Sequence, residues 1–104
     1  MPYLNKSIKK ERSEELYEAI LKLETVEECM TFFDDLCTVT ELCAMEQRFE
    51  VAKCLREGMI YNDILAKTGA SSATISRVNR SLNGRNSYGG YDIVFDRMGY
   101  NGEE

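Results

Sequence analysis

Ile60-Tyr61-Asn62-Asp63-Ile64-Leu65-Ala66-Lys67-Thr68, then Gly69-Ala70-Ser71, then Ser72-Ala73-Thr74-Ile75-Ser76-Arg77-Val78-Asn79-Arg80-Ser81-Leu82 decides how this 104-residue sequence is read. The spacing predicts a short support helix, a tight turn and a second helix: a helix-turn-helix. Ile64 and Leu65 can anchor the support helix. Gly69 offers a left-handed backbone that ends it without steric cost. Ala70 is small enough to tuck under the turn, and Ser71 or Ser72 can cap the next helix. Ile75, Val78 and Leu82 recur at three- and four-residue spacing, so one face of that helix seats on a core. Asn83-Gly84 ends it.

The opposite face presents Ser72, Ala73, Ser76, Arg77 and Arg80. Small residues at a helix start allow close approach to the floor of a DNA major groove, where an alanine can meet a thymine methyl. Serine hydroxyls can donate to or accept from either base, and arginines can take guanine edges or phosphates. The serine-capped N-terminus, Ser71 included, suits a phosphate. The expected partner is therefore double-stranded DNA.

Upstream, the pattern is helical throughout, and the one proline, Pro2, interrupts nothing. Ile8, Leu16, Ile20 and Leu23 predict a first helix over Ser7 to Leu23. Thr25 with Glu28 has capping-box spacing and opens a second helix near Val26, whose apolar face is Cys29, Met30, Phe32, Phe33 and Leu36. Thr38 with Glu41 repeats the box for a third helix, carrying Leu42, Met45, Phe49 and Ala52, with Val51 and Leu55 nearby; Gly58 stops it. This much apolar surface on three helices points to association with a second chain. Downstream, Tyr88-Gly89-Gly90-Tyr91 reads as a flexible joint, after which Ile93, Val94, Phe95 and Met98 could dock a short tail.

The organisation expected is thus one domain over 1–104. Residues 1–58 supply dimerisation helices, 59–84 the helix-turn-helix, and 85–104 a tail of uncertain structure. No run approaches the roughly 20 apolar residues that span a bilayer, so no membrane role is expected. Met1 to Arg12 is polar and lacks a secretory core, which places the chain in the cytoplasm.

Apolar residues make up 43% and charged residues 30%, an ordinary globular balance. The net charge of −5 is unevenly spread. Residues 1–57 hold eight Lys/Arg against thirteen Asp/Glu, and residues 89–104 carry a balance of −3. Residues 58–88 hold Lys67, Arg77, Arg80 and Arg85 against Asp63 alone, a balance of +3. Screening limits distant charges to about 10 Å, so a local basic face can bind phosphates on an acidic protein.

Histidine is absent, which removes the commonest general base and the commonest transition-metal ligand. No nucleophile–base pair, phosphate loop or close cysteine pair is visible, so neither an enzyme nor a metal site is expected, and no cofactor. Cys29, Cys37, Cys43 and Cys54 fall in helical segments and read as small, buried, reduced side chains.

The reading stretch, Gly69 to Arg77 followed by Ser81-Leu82, resembles the reading head of the trp repressor. Ala44-Met45-Glu46-Gln47-Arg48-Phe49 and Leu55-Arg56-Glu57-Gly58 resemble that family's central helix and its end. Within the family, the sequence resembles the YerC/YecD group of trp-repressor-like helix-turn-helix proteins. The resemblance covers about residues 10–83 and is not visible in the tail.

The fold implied is all-α: a trp-repressor-like helical bundle with a C-terminal helix-turn-helix, assembled as an intertwined homodimer. Two reading heads would then sit one DNA turn apart on a near-palindromic site. By the resemblance Ser72, Ala73 and Ser76 face bases, and Arg77 lies by an effector pocket and the phosphates. The family's effector is tryptophan, held between two arginines with a serine assisting, and Arg48, Arg77 and Ser81 match those roles. That match requires a one-residue deletion between Gly58 and Gly69; without it Gln47 takes the first arginine's place. The segment before the central helix, Leu36-Cys37-Thr38-Val39, departs from the family's apolar-Thr-Pro pattern. The function expected is a homodimeric, sequence-specific DNA-binding transcriptional regulator, a repressor gated by a small effector. The alternative is a helical protein-interaction module that keeps the shape without reading DNA specifically.

Overall fold

Hydroxyl side chains set where most of the helices begin. In the computed structural model, which describes residues 12–100, six helices and no strand are found among those residues. Helix α1 spans Glu14–Ile20, α2 Val26–Leu36, α3 Val39–Arg56, α4 Tyr61–Thr68, α5 Ser72–Asn83 and α6 Gly90–Met98.

Before α1, the Ser13 hydroxyl accepts the Glu15 N–H at 3.2 Å, and Glu14 and Glu15 place negative charge on the first turn. This cap corrects the expected helix from Ser7 to Leu23. Ser13 has extended backbone, and the helix gives way to a turn at Leu21 and Lys22. Ser7 and Ile8 lie outside the described residues. Before α2, Thr25 accepts the Glu28 N–H at 3.0 Å, while the Glu28 carboxylate reaches one residue further back, to the Glu24 N–H at 2.8 Å. Before α3 the capping box closes in both directions. Thr38 Oγ1 accepts from Glu41 N at 3.1 Å, and Glu41 Oε1 accepts from Thr38 N at 2.8 Å.

The described chain divides into two units, one ending at Leu42 and the other beginning at Cys43. In the first, no described residue is buried, and Leu21, Val26, Met30 and Leu36 are exposed. The second holds one core: Val51, Ala52, Cys54, Ile64, Ala70, Ile75, Val78, Leu82 and Phe95. Burial on α3 is therefore confined to its C-terminal half. Leu42 and Met45 are half-buried, and Phe49 sits at the margin of exposure.

The cysteines separate in the same way, against the expectation that all four are buried. Cys54 is buried, Cys29 and Cys37 are half-buried, Cys43 is exposed, and all are free thiols. Cys43 lies on nearly the same face of α3 as Cys54 but about three turns earlier, ahead of the core. Burial pushes the Cys54 thiol above its ordinary value of 9.0. Glu50 and Glu57 add to the rise, and Lys67 and Lys53 oppose it.

The segment after residue 84 departs most from expectation. Its expected joint and loosely docked tail give way to α6, and Phe95 is fully buried. Ile93, Val94 and Met98, expected to dock with it, are exposed. Around Phe95 stand Phe49, Tyr91 and Tyr100, with ring centroids 5.3, 5.9 and 5.7 Å away. Arg56 donates to Asp92 Oδ1 at 3.0 Å and to Asp96 Oδ1 at 2.6 Å, and its guanidinium lies 5.6 Å from the Phe95 ring centre. A charged clamp at the end of α3 thus holds α6 over an aromatic anchor.

Candidate nucleic-acid interface

Helices α4 and α5 meet through a turn in which each residue has a physical task. Gly69 adopts φ 74°, the left-handed conformation that ends α4, and its N–H reaches the Leu65 carbonyl. The Thr68 hydroxyl donates to the Ile64 carbonyl at 2.8 Å and accepts the Ala70 N–H at 3.1 Å. From α3, Gln47 Nε2 donates to the Thr68 carbonyl at 3.3 Å. Ala70 is 2% exposed beneath the turn. Ser71, rather than Ser72, is the N-cap: its Oγ accepts the Thr74 N–H at 3.1 Å.

Ile75, Val78 and Leu82 are buried, as their spacing requires. In α4 only Ile64 is buried. Leu65, expected as a second anchor, is 43% exposed because it stands about 100° further round the helix. Seating α5 by these three residues leaves Ser71, Ser72, Ala73, Arg77 and Arg80 exposed, with Ser76 half-buried between them. The small residues occupy the first two turns and the arginines follow. Neither the Arg77 nor the Arg80 guanidinium has a hydrogen bond or ion pair with any described residue.

Two cavities border the far end of α5. One, of about 580 Å³, is lined by Arg77, Arg80, Ser81, Arg85, Asn86 and Ser87 among others. The second, of about 380 Å³, is apolar and is lined by Phe49, Ser81, Tyr88, Tyr91 and Val94. Of the residues that the resemblance assigns to an effector, Arg77 and Ser81 share the first cavity. Arg48, half-buried on α3, lines neither. The sequence reading counted Arg85 only as charge and missed the loop that carries it. The signal present was the Tyr91/Phe95 pair, at the i,i+4 spacing of a helix beyond that loop. Among the described residues no cluster of His, Cys, Asp and Glu could hold a metal ion, and no helix is long and apolar enough to cross a membrane.

An all-helical chain whose Ser-capped α5 is held on a core, with its serine and arginine face outward, is a helix-turn-helix protein of trp-repressor architecture. The chain belongs to the Trp repressor protein family, whose match covers residues 11–99. The match reaches through α6, so the tail belongs to the family pattern although its sequence gave no sign of it. The family is one of regulators rather than enzymes. The chain is 51% identical over 85 residues to the uncharacterized protein YerC of Bacillus subtilis (strain 168), covering 82% of this chain and 80% of that protein. Its fold superposes on a TrpR-like protein from Eubacterium eligens ATCC 27750 with a TM-score of 0.82 and 54% identity, covering 91% and 96% of the two chains. A candidate Trp repressor from Staphylococcus aureus gives a TM-score of 0.82 and 46% identity, covering 92% and 97%.

Proposed function

We propose that this chain is a sequence-specific transcriptional repressor that binds DNA as a homodimer through α5. The observation that carries the reading is the outer face of α5: a capped start with Ser72 and Ala73 exposed, followed by two arginines without anionic partners among the described residues. Ser72, Ala73 and Ser76 read base edges, Ser71 and the first N–H groups of the helix take a phosphate, and Arg77 and Arg80 take further phosphates. Repression follows from occlusion of a promoter by the bound dimer, in the compartment that holds the chromosome.

The dimer is supported by the first unit. Leu21 is 82% exposed, Val26 74% and Met30 61%, and its helices bury no described residue against one another. A second copy supplies the missing half of that core; of the residues 1–58 expected to dimerise, Val51, Ala52 and Cys54 belong instead to the core of the second unit. Tryptophan is the effector that the resemblance implies; of the three residues it matches, Arg77 and Ser81 line one cavity and Arg48 lines neither.

The test is selection of bound duplexes from a random pool at physiological salt, on protein whose mass in solution is that of a dimer. One near-palindromic site is the expected result. No preferred site, with and without added tryptophan, overturns the reading in favour of a protein-interaction module.

A further inference from the structure

Three arginines converge where α5 ends. Arg77 comes from its middle, Arg80 from its last turn and Arg85 from the loop beyond, and all three line the cavity of about 580 Å³. Among the described residues no carboxylate lines it, although the sequence holds 18 Asp and Glu. Arg56 takes Asp92 and Asp96, whereas none of the three cavity guanidiniums has a partner among the described residues. Three like charges thus line one concave surface, and no described residue neutralises them.

The loop is built to bring Arg85 there. A Cβ at Gly84 would collide with the Arg80 carbonyl, so only glycine permits the close exit from α5. The Ser87 N–H then donates to the Gly84 carbonyl at 3.1 Å, closing the turn. The Ser87 hydroxyl accepts the Gly89 N–H at 3.2 Å, which leaves its own proton for an acceptor in the cavity. The end of α5 is the negative pole of the helix, so any anion here must be held by side chains.

We propose that this cavity is a phosphoryl-group site, formed by Arg77, Arg80 and Arg85 with donors from Ser81 and Ser87. A phosphate presents several acceptor oxygens and up to two charges, which matches forked guanidiniums better than a lone carboxylate does. The group can come from the DNA backbone beside the reading helix, a source that rests on the proposed function, or from a free phosphorylated small molecule.

The site is tested on the isotopically labelled full chain by NMR titration with inorganic phosphate, against sodium chloride of equal ionic strength. Saturable shifts of the arginine Nε–H and the 84–87 amide signals are expected with phosphate alone. Arg85→Ala should weaken phosphate about tenfold, and Arg85→Lys by less, because charge is kept and the fork lost. Shifts that grow linearly and equally in both salts, or that saturate elsewhere in the chain, overturn the site, and this reading needs no variant to fold. The source is assigned with a random-sequence duplex. A fall of about one in the salt slope for Arg85→Ala identifies the DNA backbone, whereas an unchanged slope beside lost phosphate affinity identifies a free ligand. If no duplex binds at all, the proposed function fails while the phosphate titration still decides the site.

Discussion

The two units of this chain share a way of starting helices and differ in what those helices enclose. Up to Leu42, α1, α2 and the start of α3 are capped by Ser13, Thr25 and Thr38, yet no described residue is buried. From Cys43 onward, residues of α3, α4, α5 and α6 close around Ile64, Ile75, Val78 and Phe95, each at most 1% exposed. Caps define where a helix begins but contribute only about 1 kcal/mol each, whereas a buried aromatic contributes several times that. The second unit is therefore stabilised by its own core. The first has its helical boundaries settled and its apolar faces unused, which is the form expected of a segment completed by another chain.

The contrast can be broken most severely at Phe95. Phe95→Ala removes the ring around which Phe49, Tyr91 and Tyr100 gather, and should cost about 3–5 kcal/mol in denaturant unfolding. A loss below about 1 kcal/mol would mean that α6 is not part of the core. In the first unit, Met30→Glu places a charge on a face already 61% exposed in the single chain. If a second copy covers that face, sedimentation should find the dimer weakened at least tenfold; an unchanged dimer constant would place the contact elsewhere. Thr38→Ala removes one half of a reciprocal capping box and should cost about 1 kcal/mol, read by the same unfolding experiment.

The smallest effect is expected from pH. Cys54 is held neutral in the core, and its folded pKa is raised above the ordinary 9.0. The unfolded thiol therefore loses its proton first, so its contribution is complete below about pH 9 and declines as the pH climbs toward the folded value. Unfolding measured at pH 8 and pH 10 should lose more stability in the native chain than in Cys54→Ala. Equal losses would leave Cys54 no part in the alkaline decline.

The fold was largely legible in the sequence because helix starts, stops and faces are local signals. Thr25–Glu28, Thr38–Glu41, Gly69 and the Ile75/Val78/Leu82 spacing each state their structure within a few residues. The outward face of α5 was legible for the same reason: once three positions of α5 are buried, Ser72, Ala73, Arg77 and Arg80 must point away. Burial depends on distant neighbours and was less readable. Leu65 sits beside a buried Ile64 and is exposed, and Cys43 shares a face with Cys54 but not its surroundings. The α6 anchor was hidden because the Gly89-Gly90 pair looks like a joint, while its partners Phe49 and Arg56 lie about 40 residues away. The arginine cavity was hidden because Arg85 joins Arg77 and Arg80 only through the close turn at Gly84.

The central claim is that the start of α5 reads bases, and one comparison tests it most directly. Duplex selection would be run in parallel on the native chain and on Ser76→Asn, since asparagine favours a bidentate contact to adenine. The account predicts that both recover sites of the same symmetry and half-site spacing, with the base preference changed at one position in each half-site. An identical motif from both proteins, or no motif from either, would contradict it.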